Sequence, residues 1–144
     1  MIRRETSPDF LNAIANQASV RAWTDYRGEE APMDFTPACG RSTETGMVVL
    51  SNGEDAFACF VMTGEQDFQS HTFFGETCRG RKAVETGREM VEWMLSHGAK
   101  RLWGATPVNN AKARWFNRQI GAKVIGHDEY EVEGPVEIFE IVRH

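Results

Sequence analysis

Phe73-Phe74-Gly75-Glu76-Thr77-Cys78-Arg79-Gly80-Arg81-Lys82-Ala83-Val84-Glu85-Thr86-Gly87 carries the reading of the whole chain. An apolar, β-prone run (His71-Thr72-Phe73-Phe74) stops at Gly75, a short basic loop follows, and an amphipathic helix starts at about Ala83. Strand, basic glycine loop and helix start together make a seat for phosphate. The first backbone N–H groups of a helix lack partners, and the helix dipole adds partial positive charge there. Gly80 permits a turn that a side chain would obstruct. Arg79, Arg81 and Lys82 bring full charges beside it. The plain alternative is a solvated basic loop in front of an ordinary helix. A triphosphate loop is excluded: Gly75 and Gly80 match its glycines, but Arg81, Lys82 and Ala83 follow, with no Ser or Thr to bind magnesium.

At 144 residues the chain suits a single domain over residues 1–144 with a real core. Its 41% hydrophobic and 26% charged content are ordinary for a globular protein. The net charge of -5 argues against a general nucleic-acid binder. Basic residues gather in two places, Arg79, Arg81, Lys82 and Lys112, Arg114, Arg118, Lys123, while acids dominate elsewhere. An acidic protein with local basic patches suits one bound anion better than a polyanion. Cys39, Cys59 and Cys78 form no C-x-x-C pair and suggest no disulfide framework or zinc site, so no metal is expected. No signal-peptide core and no run of about 18 apolar residues is evident, so no membrane role is expected. The expected location is the cytoplasm, or the cytosol of a virus-infected cell.

Read in order, Ile2 to Glu5 predicts a first strand. Ser7-Pro8 starts a helix running to about Asn16 or beyond, with Phe10, Leu11 and Ile14 on its apolar stripe. The stretch from Trp23 to Thr45 predicts a long irregular connection with a brief helix near Pro37-Ala38-Cys39. Met47-Val48-Val49-Leu50, then Asn52-Gly53, then Ala56 to Met62, predicts a hairpin with a tight turn. Phe68 to Phe74 is a third strand of the meander. The helix after the basic loop closes at His97-Gly98, and Arg101 to Thr106 is a strand stopped by Pro107. Asn109 or Asn110 caps a further helix carrying Ala113, Phe116 and Ile120 on one face, ended by Gly121. Ala122 to His127 and Val136 to Val142 read as the last two strands.

This order resembles the GNAT family of acyl-CoA-dependent N-acetyltransferases. The family's pyrophosphate loop before its central helix is similar to Arg79-Gly80-Arg81-Lys82-Ala83. Its Asn-x-x-Ala-x-x-x-Tyr-x-x-x-Gly-Phe motif is similar to Asn110, Ala113, Asn117, Gly121, Ala122. Val20-Arg21-Ala22-Trp23 and His71-Thr72-Phe73-Phe74 also look like a phage- and prophage-associated branch. The resemblance implies an α+β fold, an α/β/α sandwich whose mixed, mostly antiparallel sheet has six to seven strands flanked by helices.

It further implies acetyl-CoA as co-substrate. Phe73 and Phe74 would lie on the strand that pairs with the pantetheine arm, and Cys78, Arg79, Gly80, Arg81, Lys82 and Ala83 around the pyrophosphate. Asn110, Ala113 and Phe116 would lie along the cofactor, and Lys112, Arg114 or Arg118 are candidates for its outlying phosphate. The catalytic candidates are His71 and Glu76 as bases and Asn117, which stands where the family has a proton-donating tyrosine. An amide cannot act as an acid, though it can hydrogen-bond the sulfur. Tyr26 or Tyr130 could substitute only if the fold brings one into the gap. The expected function is transfer of acetyl from acetyl-CoA to a primary amine, on a small molecule or a protein, by direct attack. Glu29, Glu30 and Asp34 suit a cationic acceptor, and a homodimer stays open. The alternative is a non-catalytic module of the same fold, a phage-derived structural or regulatory protein acting by protein contact.

Overall fold

Alternation along one strand divides the interior in two. In the strand β3 (Ala56–Gly64), Ala56, Ala58 and Phe60 join one apolar core, and Phe57 and Cys59 join another. Successive strand side chains must point to opposite faces, so the two cores lie on opposite sides of the sheet. The structure, a computed structural model, describes residues 1–22, 32–37 and 46–143. The other described elements are β1 (Arg3–Arg4), α1 (Pro8–Ala15), α2 (Ala18–Arg21), β2 (Met47–Ser51), β4 (Asp67–Phe74), α3 (Arg81–Ser96), β5 (Arg101–Pro107), α4 (Ala111–Gln119), β6 (Lys123–Tyr130) and β7 (Gly134–Val142).

The strands form one 7-stranded sheet in the order β1-β2-β3-β4-β5-β7-β6. Among the described strands every neighbouring pair is antiparallel except β4 and β5. A parallel pair needs a crossover, and α3 supplies it. Leu11, Ile14 and Ala15 of α1 pack on Val49, Phe57 and Cys59. Ala83, Met90 and Met94 of α3 pack on Leu50, Ala58, Phe60 and Phe68 from the other side. The result is the expected α+β sandwich.

Several boundaries differ from the sequence reading. The central helix begins at Arg81, not at about Ala83, because Val84 N–H already reaches Gly80 O at 3.1 Å. Arg81 and Lys82 therefore belong to its first turn. The first helix is two: α1 ends at Ala15, and Asn16 turns its side chain to the Met33 backbone (2.9 and 2.7 Å). The Asn52-Gly53 turn is a longer loop over residues 52–55, organised by Asn52 Oδ1, which accepts from the N–H groups of Glu54, Asp55 and Ala56. The strand β6 runs three residues past the expected His127, to Tyr130, still paired with β7. Ala38 and Cys39 of the brief helix expected near Pro37 lie outside the described residues, as does most of the long connection.

Phe57 shows how the α1 side is held. It is fully buried, stacked on Phe73 with ring centroids 4.5 Å apart and edge-on to Phe35 at 5.4 Å. Phe57→Ala is expected to cost about 3–5 kcal/mol of stability, read as a lower urea midpoint at unchanged slope. A loss below about 1 kcal/mol would show that this aromatic group is not structural.

Candidate functional site

The parallel pair is brief. β4 and β5 share register only at Asp67↔Arg101, Phe68↔Leu102 and Gln69↔Trp103, and then part. From Ser70 to Phe74, β4 has no strand partner on that side among the described residues. An unpaired strand edge inside a sheet is a template for another extended chain or for a linear ligand carrying amides. The cleft beside it is lined by Ser70 and Thr72 of β4, Gly87 and Met90 of α3, and Phe116 and Asn117 of α4. Gly87 is required there: a Cβ would lie 2.5 Å from Phe116 Cζ. Phe116 also meets Phe74 at the end of β4, with ring centroids 4.9 Å apart, and so ties α4 to that strand.

Beyond Phe74 the chain enters the basic loop. Gly75 N–H donates to Asp55 O at 2.8 Å and Cys78 N–H to Gly75 O at 3.0 Å, folding the loop against the β2–β3 turn. Gly80 then takes φ +55 and ψ −125, a conformation that side chains resist. A Cβ built on Gly80 meets nothing within 4 Å, so the space before the helix is open. The N–H groups of Gly80, Arg81, Lys82 and Ala83 find no acceptor among the described residues. Four donors without acceptors among the described residues, at the positive end of a 16-residue helix, can hold an anion.

The side-chain charges are arranged otherwise than the sequence suggested. Lys82 Nζ donates to Asp55 Oδ2 at 2.6 Å and to Glu54 Oε1 at 3.0 Å. Thr77 Oγ1 donates to the same Asp55 Oδ2 at 2.7 Å. Burial opposes the charge on Asp55, but hydrogen bonds from Lys82, Thr77 and Asn52 prevail and hold its carboxyl at about 2. Hydrogen bonds to Asp55 and Glu54 raise the Lys82 ammonium above its ordinary value. Arg81 pairs with Glu85 at 3.2 Å, and Arg79 donates to Ser19 Oγ at 2.8 Å. Backbone amides, more than free cations, make this an anion seat. Asp55 had no signal in the sequence; only the hairpin register brings its carboxylate under the loop.

Other expected site residues are dispersed. His71 sits opposite Cys59 in the ladder and shares its face with Phe73, whereas Ser70, Thr72 and Asn117 line the cleft on the other face. Protein crowding around its imidazole holds the pKa below the ordinary value, although the ring keeps an exposed edge. Glu76 is exposed, and its N–H donates to Gln17 Oε1 at 2.7 Å. Cys78 is fully buried with Sγ 3.9 Å from Thr86 Oγ1, and burial pushes its thiol up. Phe73 is packed with Phe35 and Phe57. Asn110 caps α4, accepting from Ala113 N–H at 3.1 Å. Asn117 is buried and donates from Nδ2 to Thr106 Oγ1 at 3.0 Å. Arg114 turns to Glu137 at 2.9 Å, while Lys112 and Arg118 are exposed. Tyr130 is at the far end of β6; Tyr26, Glu29 and Glu30 lie outside the described residues. Among the described residues no His, Cys, Asp and Glu group could hold a metal, and no helix is long and apolar enough to cross a membrane.

No family model matches this sequence, and no curated protein sequence does. Solved structures do. The aminoglycoside acetyltransferase AAC(6')-Ib, in complex with coenzyme A and kanamycin, aligns with a TM-score of 0.78 at 14% identity, over 99% of this chain and 94% of that one. A ribosomal-protein-alanine N-acetyltransferase from Brucella melitensis aligns at 0.72 and 15% identity, over 99% of each chain. An N-acetyltransferase from Staphylococcus aureus Mu50 aligns at 0.74 and 14% identity, over 99% of this chain and 97% of that one. Identity this low establishes the fold: it is that of the GNAT acetyltransferases.

Proposed function

We propose that this protein is an N-acetyltransferase that moves the acetyl group of acetyl-CoA to a primary amine by direct attack. The observation that carries the reading is the parting of β4 from β5 beside a helix start with four amides that find no acceptor among the described residues. A diphosphate fits the amides of Gly80, Arg81, Lys82 and Ala83. The amide-bearing pantetheine arm fits the free edge of β4 from Ser70 to Phe74. The acetyl thioester then reaches the cleft lined by Asn117. The solved neighbour with coenzyme A and kanamycin supports both the donor and a small-molecule amine acceptor.

On this reading the amine enters from the sheet face that carries His71. A neutral imidazole there can take a proton from the attacking ammonium, and crowding keeps it neutral at pH 7. Activity that depends on His71 should fall as pH drops through a midpoint below about 6.5. His71→Gln should remove that limb and lower the rate by about 10²–10⁴. An unchanged pH profile would exclude His71 as the base. The cytoplasm remains the location we favour, in keeping with a sequence that shows no disulfide framework.

The alternative is a non-catalytic module of this fold acting by protein contact. Lys82 and Arg81 are engaged with the protein's own acids, and Phe116 reaches across to Phe74. Calorimetry with acetyl-CoA separates the two, and thiol release over an amine panel then tests turnover. Binding followed by release supports the enzyme. No heat of binding leaves only the module.

A further inference from the structure

The cleft beside β4 continues past the point where a thioester would sit. Its mouth carries the polar side chains of Ser70, Thr72 and Asn117. Its inner end is lined by Phe60, Met90, Val91, Leu102, Phe139 and Ile141, all apolar. The strand registers place that end. Phe60 is opposite Ser70, Leu102 is opposite both Phe68 and Ile141, and Phe139 is opposite Gly104. It therefore lies on the α3 side of the sheet, where β4 and β5 meet. Gly104 lets the Phe139 ring lie against β5, since a Cβ there would come within 2.6 Å of Phe139 Cζ. About 40 Å³ of the cleft is open to the centre of a water molecule. Roughly 10–15 Å³ on this measure holds one water, but a water needs polar partners, and apolar cavities stay dry. The six inner side chains offer none, and Phe60, Met90 and Leu102 are 2% exposed or less. Interiors are otherwise close-packed, and open apolar volume costs stability. A dry hydrocarbon pouch continuous with a polar mouth suits an alkyl chain attached to a polar head.

We propose that this pouch takes the acyl chain of the donor, so that the protein uses propionyl- and butyryl-coenzyme A and binds them more tightly than acetyl-coenzyme A. The inference rests on the acetyltransferase reading and deepens it by naming the class of donor. With the diphosphate at Gly80 and the arm running along β4 from Phe74 towards Ser70, the carbonyl arrives at the mouth beside Asn117. The chain bonded to that carbonyl continues in the same direction, towards Phe60 and Leu102. An acetyl methyl stops at the mouth, and one or two further methylenes enter the pouch. The reaction is the same for each chain. The amine nitrogen forms the bond to the acyl carbon, and the C–S bond breaks with its electron pair going to sulfur. The proton lost by the amine ends on the thiol of coenzyme A by way of solvent. Val91 and Ile141, half-buried at the inner wall, set how far a chain can reach.

The test titrates acetyl-, propionyl-, butyryl-, hexanoyl- and octanoyl-coenzyme A into the full chain by calorimetry and needs no acceptor. Each methylene buried should tighten binding roughly fourfold, so butyryl-coenzyme A should bind about tenfold more tightly than acetyl-coenzyme A. Octanoyl-coenzyme A overruns the pouch and should bind no more tightly than the butyryl compound. Ile141→Phe fills the pouch and should bring the butyryl-to-acetyl affinity ratio to about one. Ile141→Ala deepens it and should move the tightest binding to the hexanoyl chain. A loss of stability alone would not shift the preferred length in opposite directions, and the wild-type series decides the matter if a variant folds poorly. Three results overturn the inference while the acetyltransferase reading stands: affinities that do not rise from acetyl to butyryl, a rise that continues to octanoyl, or a preference that both Ile141 variants keep. Failure of the wild type to bind any of the five brings down both.

Discussion

Gly80→Glu is expected to abolish coenzyme A binding while the chain stays folded. The added Cβ meets nothing within 4 Å, so there is no clash. The cost to the fold is the backbone strain of a side chain at φ +55, ψ −125, about 1–3 kcal/mol. The cost to the ligand is greater. The carboxylate extends into the space that the four amides face, satisfies them itself and repels a diphosphate. Hydrogen bonds to a charged group contribute about 1.5–3 kcal/mol each, so losing two lowers affinity by roughly 10²–10⁴. Gly80→Ala separates the effects: it carries the same strain and no charge, and should keep most of the affinity. Binding by Gly80→Glu within about tenfold of wild type would place the diphosphate elsewhere.

The second large effect concerns Asp55. Its carboxyl titrates at about 2 in the folded protein against an ordinary 3.8. A folded pKa that is depressed means the unfolded chain binds the proton more readily. The stabilisation is therefore fully present above pH about 4 and is lost as pH falls from there through about 2. The gap corresponds to at most about 2–3 kcal/mol, and because Lys82 is partly exposed we expect about 1–2. Asp55→Asn should lower stability by that amount at pH 7 and flatten this part of the acid limb, measured by urea unfolding from pH 7 to pH 2. A mutant whose acid limb matches the wild type would show that the Lys82 and Thr77 bonds to Asp55 are incidental.

Much of the fold could be read in the chain because its signals are local. Ser7-Pro8 marks a helix start, and the structure has Ser7 Oγ accepting from Phe10 N–H. The cap at Asn110 and the glycine closing α3 are of the same kind: Gly98 and Ala99 N–H return to Leu95 O and Met94 O. Alternation between Ala56 and Phe60 was equally legible, since period two fixes which residues share a face. The loop before α3 could be located from Gly80 and its basic neighbours but not its electrostatics. Which acid meets Lys82 depends on the pairing of β2 with β3, and no spacing rule shows that. For the same reason Thr106 passed as an ordinary strand residue. Its bond to Asn117 appears only when α4 folds back and sets that residue against it, 11 residues later. The placement of His71 on the face opposite Asn117 follows from strand parity, which was available in the sequence once β4 was known to separate the two cores.

The most direct measurement is a crystal structure of the protein grown with coenzyme A. The account predicts diphosphate oxygens within hydrogen-bond distance of the Gly80, Arg81, Lys82 and Ala83 amides, and the pantetheine amides paired with β4 between Ser70 and Phe74. Density for the cofactor anywhere else, or the helix start bare at saturating ligand, would contradict it.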